Sequence, residues 1–456
     1  MLIDLNHGSG FQYGVTPVGE FRPSEAQEKA IAQLEDWYRN RTDQQQVFRL
    51  FGYAGTGKST VLKFALERLK LKIRDDEAGA CVGGVVTATF TGKAALVLTR
   101  KGTPAQTIHS LIYSVIEATE EEIKEQEAEI ERLQREVHQI TDAFEGASAQ
   151  ARVERARDEL KMLKRPRFAK NPDSLAGLAD LIVLDEVSMV GEEMAADLLS
   201  YERPILVLGD PGQLPPIKGE GAFTAQEPDV MLTEIHRQAA ESAIIRLATA
   251  ARNGEPINYG CYDDHVAVLP IGSVTPAQML RGGQVICGKN ATRLDLNNQM
   301  RMQAGFYSAI PTGNGEKVIC LKNMNDRGLV NGMFISLTEI EPSDESHYFW
   351  AKVKEENGAD LAGTQPRKKG GKMRVYNGHL LDHEHFDNER NDRDWRDKKG
   401  CVEATYGWAI TCHKAQGSQW ENIVVFDDGL GRTDLDRQRW LYTAITRAEK
   451  GLVLLK

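Results

Sequence analysis

Between Gly52 and Thr60 the chain reads GYAGTGKST, in which Gly52, Gly55 and Gly57 are followed by Lys58, Ser59 and Thr60. Glycines let backbone N–H groups close on phosphate oxygens, and a helix starting at Lys58 would aim its positive dipole end at the same oxygens. Lys58 can reach the outer phosphates, Ser59 can ligate Mg²⁺, and Thr56 and Thr60 complete the cradle. Asp185 and Glu186 close the apolar run LIVL. There Asp185 would hold Mg²⁺, directly or through water, and Glu186 would polarise an attacking water. Gly209 and Asp210 close a third apolar run, and Gln213 follows. An acid and an amide at that place could touch a terminal phosphate and register its loss.

Such groups need strands to aim them. FRLFG is a short, mainly apolar run, and LIVLD and ILVLGD run continuously apolar to their last residues, as strands buried in a parallel sheet do. Carboxylates at the carboxyl ends of such strands fall beside the phosphate loop. Three strand ends of this kind predict an ATP-hydrolysing domain of the parallel-sheet type, with ATP and Mg²⁺ as its ligands.

The whole chain has 456 residues, room for two or three domains, and an ordinary apolar fraction of 41%. No apolar run reaches the roughly 18 residues that span a bilayer, and MLIDLNHGSG is not a secretory signal, so a cytoplasmic protein without membrane contact is expected. Six cysteines, at 81, 261, 287, 320, 401 and 412, form no CxxC pair and are expected reduced. The formal charge of −10 argues mildly against a nucleic-acid binder. Much of it is concentrated, however. From Glu117 to Ile140 nine glutamates stand against Lys124, Arg132 and Arg135, a local balance of −6. A basic groove elsewhere stays open.

The blocks GYAGTGKST, TFTGKAA (89–95), TIHSLI (107–112), LDEVSM, GDPGQLPPI, EIHRQ (234–238), ATYGWAITCHKAQGSQW (404–420) and WLYTAITRAEKGLVLL (440–455) occur in one order. That order resembles the motifs of superfamily 1 helicases, most closely the branch containing RecD and the phage helicase Dda. The resemblance implies α/β architecture: two RecA-like parallel-sheet lobes with ATP between them and single-stranded DNA across their top. It implies that Arg237 and Arg447 reach the terminal phosphate from the second lobe, that Gln416 is a further contact there, and that Gln27 pairs with adenine. His236, where relatives often have an aromatic residue, would stack on the same base. An arginine that senses phosphate across the cleft makes closure depend on ATP.

For the polynucleotide, Thr91, Gly92 and Lys93 match the first strand-binding motif, Thr107, His109 and Ser110 the next, and Thr411 and His413 the second-lobe counterpart. Hydroxyls, imidazoles and amides suit phosphate contact without sequence reading. Phe90 departs from the family, which has proline there. Its ring either stacks on a base or fills core beside the sheet.

Two segments interrupt the motifs. Apolar residues at 116, 123, 130, 133, 137, 140 and 144, then at Val153, Ala156, Leu160 and Leu163, predict a helical hairpin turning near Gly146. Its first helix is acidic and its second basic. Strand separation, bracing of the second lobe and contact with a protein partner are all open to such an arm, with bracing or partner contact favoured near the tip and DNA contact only near the basic base. From 313 to 400, GEKVICLKN, GMFISLTEI, YFWAKVKEE and KMRVYNGHL predict short strands, which related helicases arrange as a small SH3-like barrel. Arg367, Lys368, Lys369, Lys372 and Arg374 either meet phosphates there or form a solvated loop.

The expected organisation is therefore lobe one from 1–112 and 171–232 with the hairpin at 113–170 inserted, and lobe two from 233–312 and 401–456 with the β segment at 313–400. The resemblance implies a monomeric DNA helicase moving 5′ to 3′, with single-stranded DNA and a duplex fork as partners and a phage or replicon as a fitting source. An RNA-directed motor and a weakly unwinding, nucleotide-controlled scaffold are the competing readings.

Overall fold

The computed structural model describes residues 23–42, 44–74, 83–116, 118–140, 142–164, 167–216, 219–234, 242–308, 310–311, 315–345, 347–361, 371–381, 398 and 400–456. His236 and Arg237 lie outside these residues, as do Arg367, Lys368, Lys369 and nearly all of the charged stretch 382–399.

The first lobe is a six-stranded parallel sheet in the spatial order Gln106–Thr107, Val85–Thr89, Leu181–Asp185, Ile205–Gly209, Val47–Gly52 and Val230–Leu232. Its register pairs Thr89 with Asp185 and Phe51 with Gly209, so the functional ends of the strands lie along one edge. Buried Leu181, Ile182, Val183 and Leu184 fill both faces, as the continuous apolar run requires. The second lobe repeats the plan in the order Ala409–Thr411, Gln284–Cys287, Trp420–Phe426, Ala448–Leu455, Val266–Leu269 and Gly260–Cys261, parallel except for the last pair. These are the two RecA-like lobes of the α/β reading. The apolar core of the second lobe takes in Leu214, and Tyr53 and Ala54 of the phosphate loop pack against it.

The hairpin arm comprises helices Glu120–Gln139 and Ala143–Lys164. Thr119 and Glu122 form a capping box at its start. Ile130, Leu133, Val153 and Ala156 make the seam between the helices, joined by Val137 and Leu160. The first helix ends at Gln139 and the second begins at Ala143, so the chain reverses ahead of Gly146 and not at it. Asp142 accepts the N–H groups of Phe144 and Glu145, each at 2.9 Å, and so starts the second helix ahead of that glycine. Ile116 and Phe144 are also outside the seam. Ile116 ends a strand, Tyr113–Ile116, that pairs antiparallel with Arg167–Lys170, and Phe144 is 86% exposed. The arm therefore stands on a two-stranded β stem.

The other insertion is an antiparallel sheet in the order Met373–Tyr376, Tyr348–Glu355, Phe334–Pro342, Glu316–Cys320 and Ala404–Tyr406. A buried ion pair, Arg301 to Glu316 at 3.0 Å, ties it to a second-lobe helix, and the Arg301 guanidinium also lies 3.8 Å from the Tyr406 ring centroid. Lys372 is buried against Glu341. No described helix is long and apolar enough to cross a membrane.

Candidate nucleotide cleft and strand-binding face

The phosphate loop leaves the strand Val47–Gly52 and runs into the helix Lys58–Leu69. Gly55 has φ 80° and Gly57, the helix N-cap, φ 82°, left-handed conformations that a side chain would strain. Both predicted glycines thus occupy backbone that favours glycine. At Gly52 a Cβ would come 2.5 Å from Thr56 Oγ1. Lys58 is folded onto the loop, with Nζ donating to the carbonyls of Gly52 at 2.7 Å and Tyr53 at 3.2 Å. Buried Gln27 braces the loop from behind: its Nε2 donates to Thr56 O at 3.3 Å, while its Oε1 accepts from Ser24 N at 3.0 Å. Both ends of the amide that the sequence reading assigns to adenine are thus engaged in this structure.

Ser59 and Asp185 line one cavity of about 530 Å³. A hydroxyl and a carboxylate on one cavity wall are oxygen donors of the kind Mg²⁺ takes. Burial and the neighbouring Glu186 charge raise the Asp185 pKa, while the Glu186 N–H at 2.8 Å and Lys58 oppose the rise. Glu186 itself sits at φ 54°, in the left-handed region, a strained backbone of the kind that concentrates at functional sites.

The cleft is crossed by a chain of hydrogen bonds. With its amide set by both neighbours, Gln213 donates to Glu186 Oε2 at 3.2 Å and accepts from Arg447 Nη2 at 3.3 Å. Arg447 is buried and further held by Thr443 O at 3.0 Å and Ser418 O at 3.4 Å. Gln416 Nε2 donates to Leu214 O at 3.0 Å, and its buried Oε1 has no partner among the described residues. The Leu214 N–H donates to Thr443 Oγ1 at 2.9 Å. Tyr442, a residue that sequence reasoning passed over although it lies inside a quoted block, bonds both Ala54 and Asp210. The structure thus brings Lys58, Asp185, Glu186, Gln213, Gln416 and Arg447 to one cleft.

The same strand edge carries the candidate polynucleotide contacts. Thr91 caps the helix Gly92–Arg100 by accepting from Ala94 N, and Thr107 caps the next by accepting from Ser110 N at 3.0 Å. Half-buried Phe90 packs on the core beneath, and its ring meets His109 edge-on at 6.0 Å. His109 in turn meets Phe168 of the arm's stem at 5.9 Å, and Phe168 is 56% exposed. Phe168 was invisible in the sequence because its place in this row depends on the stem register. Lys93 lies in an aromatic cage, its Nζ 4.4 Å from the ring centroids of both Phe334 and Trp420, and burial pushes its pKa down to about 8. On the second lobe, Thr411 starts the short helix Cys412–Ala415, and burial lowers the pKa of His413, as it does that of His109.

The comparisons with known proteins agree with this arrangement. A family described as an AAA domain matches residues 24–271, and one described as a UvrD-like helicase C-terminal domain matches residues 406–455. The ATP-dependent RecD2 DNA helicase of Deinococcus radiodurans is 27% identical over 294 residues, 59% of this chain and 35% of that protein. The chain thus spans about a third of the length of that relative. A crystal structure of Bacteroides Pif1 bound to ssDNA superposes with a TM-score of 0.50 at 18% identity, covering 95% of this chain and 92% of that one, a likeness of fold. A Pif1 structure from work on DNA unwinding at forked dsDNA by two coordinating Pif1 helicases gives a TM-score of 0.48 at the same identity and coverage. The chain belongs to the AAA-domain family.

Proposed function

We propose that this chain is an ATP-driven motor that moves along single-stranded DNA, in the 5′ to 3′ direction, and separates the duplex ahead of it. The observation that carries the reading is the hydrogen-bonded path from Glu186 through Gln213 to Arg447, which joins the water-activating carboxylate of one lobe to an arginine of the other. ATP would lie on the phosphate loop, cradled by the backbone from Gly52 through Gly55 to Gly57, with Lys58 swung from the Gly52 and Tyr53 carbonyls onto the phosphates. Mg²⁺, held by Ser59 and Asp185, would neutralise charge on the phosphates. Glu186 would take a proton from the attacking water, which Gln416 Oε1 is free to orient. Arg447, with Arg237, would stabilise the charge that develops as the terminal phosphate leaves.

Loss of that phosphate would remove one of the bonds that draw the lobes together, so that each turnover would open and close the cleft. The Phe90–His109–Phe168 row offers faces on which bases stack without sequence preference. Thr91, Gly92, Thr107, Ser110, Thr411 and His413 offer short polar contacts to the backbone. A DNA substrate is supported by the RecD2 relative, a DNA helicase, and by the similar Pif1, which was solved bound to ssDNA. Steady-state phosphate release with and without single-stranded DNA tests the reading. Turnover should rise with the strand present; ATP hydrolysis that is absent, or indifferent to DNA, would overturn it.

A further inference from the structure

The hydrolysis reading gives Gln213 and Arg447 their tasks and leaves Tyr442 without one. This tyrosine lies on the second-lobe helix Asp434–Ile445 and is 1% exposed. Its hydroxyl accepts from the Ala54 N–H of the phosphate loop at 2.8 Å and donates to Asp210 Oδ2 at 2.7 Å. A phenol has one proton to give, so the two bonds fix each other's direction. The other oxygen of Asp210 accepts from Gly212 N at 3.0 Å. Burial raises the pKa of both the phenol and the carboxyl, each further raised by a neighbouring acid, and keeps the phenol protonated.

The surroundings hold the ring in place. Gly212 packs so closely that an added Cβ would come 3.0 Å from Tyr442 Cε1. The ring of Tyr53 meets Tyr442 edge-on at 6.5 Å, and the Arg252 guanidinium of the second lobe covers Tyr53 at 3.6 Å. Backbone N–H groups of a phosphate loop are the ligands that shape its cradle. Here the orientation of one of them, at Ala54, is set by an atom of the opposite lobe. The same atom anchors Asp210, the start of the segment whose Gln213 joins Glu186 to Arg447.

We propose that Tyr442 is a positioning residue for ATP hydrolysis: its hydroxyl locks the phosphate loop and the Asp210–Gln213 segment to the second lobe, so that Glu186, Gln213 and Arg447 align only when the lobes are seated. The proposal rests on the ATPase reading above. Nucleotide binding uses the other loop amides and Lys58, so losing the hydroxyl should spare binding and slow the chemical step.

The test is Tyr442→Phe, which keeps the ring and removes both hydrogen bonds. With single-stranded DNA present, kcat should fall about 10- to 100-fold, as expected for a lost hydrogen bond to a charged group, while KM for ATP changes less than about threefold. A tyrosine that only supports the fold would lower the melting temperature and leave both constants of the folded enzyme unchanged. That result overturns the proposal, as does a rise in KM with kcat intact. Should Tyr442→Phe fail to fold, Asp210→Leu removes the acceptor of the same bond at similar volume, and an unchanged kcat there is equally fatal. A wild-type chain without ATP turnover removes the ATPase reading itself, whereas an active wild type with a silent Tyr442→Phe removes only this assignment.

Discussion

The nucleotide cleft and the helical arm are held together in opposite ways. Across the cleft, single buried polar atoms meet partners far away in the chain: Ala54 N with Tyr442 Oη, Leu214 N with Thr443 Oγ1, and Gln416 Nε2 with Leu214 O. The arm is a local object, in which Ile130 and Leu133 pack on Val153 and Ala156 of the neighbouring helix. Its polar links are peripheral, such as Gln126 Nε2 to Ala156 O at 3.2 Å and Arg152 to Glu136 at 3.7 Å. A seam of summed apolar contacts tolerates change in proportion to the area lost. A relay of buried hydrogen bonds fails when one member is removed, because its neighbours are left unsatisfied. The cleft should therefore respond to single atoms in rate, and the arm to side-chain volume in local stability.

The largest expected effect is on the cleft side. Arg447→Ala should leave ATP binding nearly intact and slow DNA-stimulated hydrolysis by about 10³-fold, the lower end for an arginine that stabilises phosphoryl transfer. Equilibrium binding of a fluorescent ATP analogue alongside phosphate release separates the two. Undiminished turnover would take this arginine out of the mechanism.

A smaller effect, confined to the arm, is expected from Leu133→Ala. Emptying a buried leucine site costs about 2–4 kcal/mol, here charged against the hairpin. Amide exchange across residues 120–164 should quicken while ATP turnover stays within about twofold of wild type. A matching collapse of turnover would mean that arm and cleft are one cooperative unit, and the contrast drawn between them would fail.

Legibility followed the same division. The phosphate loop could be read because its requirements are local: Gly55 and Gly57 for left-handed backbone, an amide-rich turn and a helix start. The parallel strands could be read because burial on both faces leaves continuous apolar runs, as in Leu181–Asp185. In the arm the heptad gave the seam but not its ends. Gly146 looked like a turn, yet a glycine inside a helix costs only about 1 kcal/mol and Asp142 had already capped the helix. Gln27 illustrates a further limit. Its side chain meets the requirements of adenine recognition and of a capping box alike, and only the folded structure shows the bonds to Ser24 N and Thr56 O. Tyr442 and Phe168 were unreadable for a different reason: each acquires its place from a partner that only the assembled lobes or the stem register supplies.

Coupling between phosphate chemistry and movement of a strand is tested most directly by strand displacement. Matched duplexes carrying either a 5′ or a 3′ single-stranded tail would be incubated with the chain, with and without ATP. Release of the displaced strand from the 5′-tailed duplex, dependent on ATP, is the expected result; intact duplexes alongside brisk ATP hydrolysis, or release that needs no ATP, would contradict it.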